Sequence, residues 1–245
     1  MVVGRRPVRE ALATGEPAYR LLYSDDHARD IQFLVAQASA RGISTQQVGV
    51  ALLNEAAGGA HHQGIALELA PRAPATLDQA LAAAARAGEA PLLLVLDHLQ
   101  DPQNFGTLLR TAEAVGVHGV VFPAHRAAGV TPAVSKASAG ALEHLAVIQA
   151  PNVAQTLEQL KHQGLWIAGL DAQGQYDFDE LDAGLPLALV VGSEGSGLSQ
   201  LVKRRCDFLL RIRTRGRVAS LNASVAGSIV LYDVWRRRQQ RAPAS

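Results

Sequence analysis

The sequence predicts an α/β protein in which a mostly parallel sheet covered by helices follows a smaller α/β block. Three observations predict this. From residue 92 onward, apolar runs of strand length alternate with helical patterns, as in strands joined by helical crossovers. The first 70 residues carry a shorter alternation of their own, and an alanine- and proline-rich stretch separates the two blocks. The chain of 245 residues is 48% hydrophobic and 18% charged, enough apolar surface for an ordered core and enough length for one large or two small domains.

The first block, residues 1–72, reads as a short helix after "GRRPV", a strand at "AYRLLY", a helix at "ARDIQFLVAQASARG" and a closing strand "GIALEL". Residues 73–90 read as a linker whose centre, "LDQALAAAARAG", has helical propensity and a glycine to end it. The second block, residues 91–245, opens with the strand "LLLVLD" and continues through "GVVF", "VSKASAGAL", "LAVIQA", "VAQTLEQLKHQ", "LWIAGL" and "PLALVVG" to a long last helix, "SLNASVAGSIVLYDVW". The one cysteine, Cys206, excludes an intrachain disulfide framework and a cysteine-built metal cluster, and reads as a small buried apolar residue. No run approaches the roughly 18 apolar residues of a membrane helix. The start "MVVGRRPVREAL" lacks the long apolar stretch and the cleavage site of a secretory signal. The expected location is the cytoplasm, with no membrane and no metal.

The net charge of +1 conceals an uneven distribution. Residues 73–200 carry five bases against thirteen acids, and residues 201–245 carry eleven bases against two acids. A charge separated in this way can set a positive face against a polyanion while the molecule stays near neutral. The tail "WRRRQQR" also has a simpler reading, a solvated basic helix end that suits the helix dipole. In "KRRCDFLLRIRTRGR" the bases recur around a strand and a glycine turn, which favours contact with nucleic acid.

Ligands of open parallel sheets sit beyond the carboxyl ends of strands. Three polar loops lie at such ends. In "DPQNFGTLLRTAEAVG", Asn104 alone reads as a helix cap and Arg110 alone as a surface charge, although its flanks "TLL" and "TA" make a solvent-facing role less obvious. In "VVGSEGSGLS", Gly192, Gly195 and Gly197 allow tight turning and a close approach of backbone to a ligand. The loop matches neither dinucleotide nor triphosphate fingerprints. The acid at its centre, Glu194, suits a cation, an amine or sulfonium, or a sugar hydroxyl; it could also cap the helix starting near Leu198. In "RIRTRGRVASLNASVA", Ser220 and Asn222 open the last helix and would each serve as a cap.

In this order, "DPQNFGTLLRTA", "VVGSEGSGLS" and "SLNASVA" resemble the three motifs of the SpoU (TrmH-like) family of RNA ribose 2′-O-methyltransferases, within the SPOUT superfamily. The resemblance covers about residues 90 to 236. "GRRPVREAL" and "HHQGIAL" resemble the ribosomal-protein-like RNA-binding domain of the RlmB type, the subgroup that methylates a guanosine of large-subunit rRNA. The chain departs from the family pattern at Arg213 and Thr214, where relatives carry Pro-Met, and at Ala223, where they carry valine.

The resemblance implies a SPOUT methyltransferase domain with a C-terminal trefoil knot, a topology that chain physics alone would never suggest. It implies S-adenosylmethionine as cofactor, held largely through backbone groups at Gly192, Ile212 and Leu221. It maps the polar active-site positions onto Asn104, Arg110, Glu194, Ser220 and Asn222. It further implies a homodimer whose paired domains complete each site, and an RNA substrate, rRNA favoured over tRNA. Arg5, Arg6 and Arg9 on the small domain and Arg213, Arg215 and Arg217 on the basic turn are the candidates for phosphate contacts. A catalytically silent RNA-binding or ribosome-assembly factor on the same fold is the alternative from another class.

Overall fold

The computed structural model describes residues 1–15, 17–24, 28–59, 61–70, 74–124, 131–216 and 220–241. The chain divides into two units, Met1–Ala73 and Pro74–Ser245.

The first unit is a four-stranded sheet in the order β1-β4-β2-β3, with β1 at Val2–Val3, β2 at Ala18–Tyr23, β3 at Ser44–Gln47 and β4 at Ile65–Leu69. Side chains alternate across a strand, so Leu21, Ile65 and Leu67 pack with α1 (Arg5–Ala13) and α2 (Arg29–Ala40), while Leu22 and Ala66 meet Leu53 of α3 (Val50–Ala57). The sequence reading missed β1, β3 and α3. β3 is "STQQ", with no apolar alternation to reveal it; its parallel pairing with β2 is a backbone event at the sheet edge. The two N-terminal motifs meet here. Gly4 takes φ +97 at the start of α1, and the Arg5 amide donates to Gln63 Oε1 at 3.0 Å. Behind them the Gly64 amide donates to His62 Nδ1, which obliges Nε2 to carry the ring proton that reaches Asn54 Oδ1.

The second unit holds a seven-stranded, all-parallel sheet. Its strands are β5 (Leu92–Asp97), β6 (Gly119–Pro123), β7 (Val147–Ala150), β8 (Trp166–Leu170), β9 (Tyr176–Asp177), β10 (Leu187–Gly192) and β11 (Phe208–Arg211), in the order β7-β6-β5-β10-β8-β11-β9. The central strands β5 and β10 are apolar on both faces, as a sheet covered on both sides requires. Leu92, Leu94 and Leu96 join Leu187, Leu189 and Val191 against α5 (Pro102–Ala114) and α9 (Ala223–Arg241). Leu93, Val95, Ala188 and Val190 face the opposite layer, built on α4 (Leu77–Ala87), α7 (Val153–His162) and α8 (Gln200–Arg205). The segment read as a linker therefore folds with this unit. Thr76 and Gln79 cap α4 reciprocally, and Ala80 packs into the core beside Gly119. Among the described residues no helix is long and apolar enough to cross a membrane.

In the tail "WRRRQQR", Arg236, Gln239, Gln240 and Arg241 are exposed, as the solvated helix end predicts, but Arg237 and Arg238 turn inward. Arg238 is half-buried, and its guanidinium donates to the carbonyls of Ala90, Pro91, Ala183 and Leu185. Arg237 donates to those of Phe178 and Leu181. These arginines tie the last helix to two strand-flanking turns, using the many fixed donors of a group that stays charged.

α5 meets α6 (Pro132–Ser138) so closely that a Cβ on Gly106 would lie 2.4 Å from Ala137 Cβ and 2.7 Å from the Ala137 carbonyl carbon. Backbone cannot swing aside. Gly106→Ala is expected to lower stability by about 1–3 kcal/mol through overpacking, read as a lower urea midpoint at unchanged slope. A midpoint equal to that of the parent chain would show that these helices do not pack as described.

Candidate active site

Strands β5 and β10 end in register, Asp97 opposite Gly192, so the loops that follow them start side by side. Asp97 is 1% exposed. Its Oδ2 accepts the Ser199 amide at 2.6 Å and its Oδ1 pairs with His98 Nδ1 at 2.7 Å, fixing the far end of the glycine loop to the end of β5. The loop closes on itself through reciprocal Ser193 and Gly197 backbone bonds of 3.0 Å. Gly197 takes φ +66 there. A Cβ on Gly192 would strike the Gly197 and Leu198 backbone, so that position must be glycine. Gly195 has no such requirement: a Cβ there would meet nothing within 4 Å.

Glu194 does not cap a helix. Its Oε1 accepts from Asn104 Nδ2 at 2.8 Å and from the Asp101 amide at 3.4 Å. Burial would raise its pKa, but the bonds from Asn104 and from the amides of Glu194, Asp101 and Gln100 outweigh that and hold the carboxyl below its ordinary value. Asn104 does not cap either, because Asp101 takes that role for α5 by accepting the Gln103 amide at 2.9 Å. At 9% exposure, the Asn104 side chain instead joins three loops. Its Oδ1 accepts from Asn222 Nδ2 and from Ser224 Oγ, both at 3.0 Å. Asn222 is a cap after all, its Oδ1 accepting the amides of Ser224 and Val225, and its other end reaches Asn104. Asp97 and Ser224 were missed in the sequence. A carboxylate ending an otherwise apolar buried strand was the available signal for the first; nothing local marks the second.

Beside this network lies a cavity of about 530 Å³ at the carboxyl ends of β8, β10 and β11. Gly192, Glu194, Ile212, Ser220 and Leu221 line it, as does Arg213. Asn104 and Asn222 stand just outside its lining, bound to Glu194 directly or through one another. Arg110 does not join them. It is exposed on α5, and six residues beyond Asn104 it points about 120° away around the helix.

The basic segment is largely neutralised within the chain. Asp177 accepts from Arg211 Nε at 2.8 Å and pairs with Arg213, and these bonds hold its carboxyl below the usual range. Lys203 pairs with Asp171, Arg205 with Glu158 and Arg241 with Asp182. In the small unit Arg6 pairs with Glu10, Arg9 lies 3.8 Å from Asp30, and Arg5 Nε reaches the Gln63 carbonyl. Arg215 is exposed. Arg217 lies outside the described residues. Cys206 is inert as a nucleophile, because burial pushes its thiol up to about 12.

An ionised Glu194 stabilises the fold above its unfolded pKa, and that contribution is lost as pH falls through its lower folded value. The contribution is modest, since Glu194 as a residue is exposed and solvent screens it. Asn104→Ala removes its side-chain donor. The stability gap between parent and variant should therefore narrow between about pH 6 and about pH 3 in urea titrations. A gap independent of pH would show that this bond does not hold the carboxylate.

Comparison with known proteins gives this arrangement relatives. The SpoU rRNA Methylase family matches residues 91–232, and the domain described as RNA 2'-O ribose methyltransferase substrate binding matches residues 1–75. The TrmH family protein YacO of Bacillus subtilis (strain 168) is 42% identical over 238 residues, covering 97% of this chain and 95% of that protein. The crystal structure of the SpoU methyltransferase AviRb from Streptomyces viridochromogenes, in complex with the cofactor AdoMet, superposes with a TM-score of 0.77 at 26% identity, covering 98% of this chain and 90% of AviRb. The TrmH/SpoU tRNA modifying enzyme of A. aeolicus aligns over 62% of this chain and 78% of its own, with a TM-score of 0.58 and 28% identity. With three convergent loops at the strand ends of a parallel sheet, and with matches to both family domains, the chain belongs to the SpoU methylase family.

Proposed function

We propose that the protein transfers a methyl group from S-adenosylmethionine to a ribose 2′-hydroxyl of RNA, with a guanosine of large-subunit rRNA as the favoured substrate. The observation that carries this reading is the Asn104 side chain, which joins Glu194, Asn222 and Ser224 at the rim of the cavity. tRNA is the second substrate class, since relatives are named for both RNAs. A cytoplasmic setting and a knotted C-terminal segment belong to the same proposal.

The cavity fits the cofactor. Its volume lies within the range of small-molecule sites. Leu170, Leu210, Ile212 and Leu221 offer apolar walls to an adenine ring, and the glycine loop brings backbone groups close. An acid at the rim suits a sulfonium cation, where it would repel a phosphate. The cofactor, when bound, supplies an electrophilic methyl group.

The chain's own residues must present the nucleophile. A ribose hydroxyl attacks poorly until it loses its proton. A guanidinium is a donor with no acceptor, so Arg110 is not suited to take that proton. Its planar fork suits a second task, gripping the RNA phosphate and stabilising the alkoxide as it forms, while the proton leaves through phosphate or solvent. Glu194, Asn104 and Asn222 keep the glycine loop and the α9 start in register during this step.

Arg110 and the rest of the site are brought together by a second copy. On α9, Val225, Ile229 and Tyr232 are 45%, 37% and 54% exposed at helical spacing. An apolar stripe of this kind marks a protein contact. A homodimer built on it would cover the stripe, and the family resemblance implies that the paired domains then complete each site.

Three measurements test this. Arg110→Lys should leave S-adenosylmethionine binding unchanged by calorimetry and reduce methyl transfer to RNA by about tenfold or more; an unchanged rate would remove Arg110 from the chemistry. Tyr232→Glu with Ile229→Glu should convert a dimer to a monomer in sedimentation and abolish transfer, whereas an active monomer would overturn the two-copy site. Primer-extension stops on total RNA from cells with and without the protein would locate the modified ribose.

A further inference from the structure

The cavity wall contains an ion pair to which the family resemblance gives no role. Among the described residues lining it are three cations, Lys203, Arg211 and Arg213, and two carboxylates, Asp171 and Glu194. Both arginines are engaged by Asp177, which is not part of the lining. Glu194 is engaged by Asn104. Lys203 and Asp171 remain, paired with one another at 2.5 Å and both in the wall, their side chains 29% and 13% exposed.

The pair is held in place from behind. The Gln173 amide donates to Asp171 Oδ1 at 2.9 Å, and the Asp171 amide donates to the Leu210 carbonyl at 2.9 Å. Lys203 projects from the last turn of α8. An ammonium has three donors and an ionised carboxylate about four acceptor sites, so one ion pair and one amide bond leave capacity on both. A fixed plus beside a fixed minus complements a ligand that carries its own minus and plus. A zwitterionic group adds no net charge to this part of the wall, which limits the cost of desolvation.

Building on the cofactor reading above, we propose that Lys203 and Asp171 receive the zwitterionic amino-acid end of S-adenosylmethionine, Lys203 binding its carboxylate and Asp171 its ammonium. The adenine then occupies the apolar part of the cavity, and the sulfonium lies between the two ends.

The test compares binding of S-adenosylmethionine with binding of its decarboxylated analogue, by calorimetry on the full chain and without RNA. The parent chain should prefer the complete cofactor by about tenfold or more, as expected for one charge-assisted hydrogen bond. Lys203→Met should bring that ratio to about one while binding the analogue as the parent does, which also reports an intact cavity. Lys203→Arg should restore part of the preference. An unchanged ratio in Lys203→Met overturns this inference alone. Equal loss of both compounds in that variant overturns it too, because Lys203 would then be supporting the wall rather than binding the ligand. A parent chain that binds neither compound overturns the cofactor reading and this inference together.

Discussion

The site depends on one carboxamide. Asn104 is nearly buried, and the two ends of its side chain face unlike neighbours: an ionised carboxylate that can only accept, and an amide and a hydroxyl that can donate. Its orientation is thereby fixed, since reversing it would set an oxygen against Glu194 and leave buried partners without their bond. Through this residue the helix after β5, the loop after β10 and the start of α9 become one unit, although Asn104 is separated along the chain from Glu194 by 90 positions and from Asn222 by 118. Asp97 acts in parallel. It pins the end of the glycine loop to β5, so the loop is held at both ends.

The sheet makes those bonds available. β5 and β10 are neighbours whose last residues are opposite one another, and every strand of the sheet delivers its following loop to the same edge. Apolar residues on both faces of the central strands hold that register, because slipping by one residue would exchange the side chains facing each helix layer. The cavity lies on the same edge, one strand further along.

Electrostatics follows the same logic. The charges are segregated in sequence, acids before residue 200 and bases after it, yet the fold threads one group past the other. Glu158, Asp171, Asp177 and Asp182 meet Arg205, Lys203, Arg211 with Arg213, and Arg241. What resembled a free polycationic segment is mostly an internal lattice of ion pairs and carbonyl contacts. Arg110 and Arg215, by contrast, are exposed.

The sequence by itself determined the parallel α/β architecture, the succession of the principal strands along the chain and the three polar loops at their ends, because apolar periodicity and glycine placement are local properties. It also picked out Asn104, Glu194 and Asn222 through their motifs. Only the tertiary structure decided what these residues do. Asn104 and Glu194, each of which suited a helix cap, bind one another instead, whereas Asn222 caps α9 and reaches across as well. It also separated Arg110 from them, revealed Asp97 and Ser224, and placed Lys203 against Asp171. The physical reason is common to all of these. A hydrogen bond or ion pair depends on which side chains are within about 3 Å, and for residues 30 to 120 positions apart that distance is set by strand order and helix packing, about which local sequence carries no information.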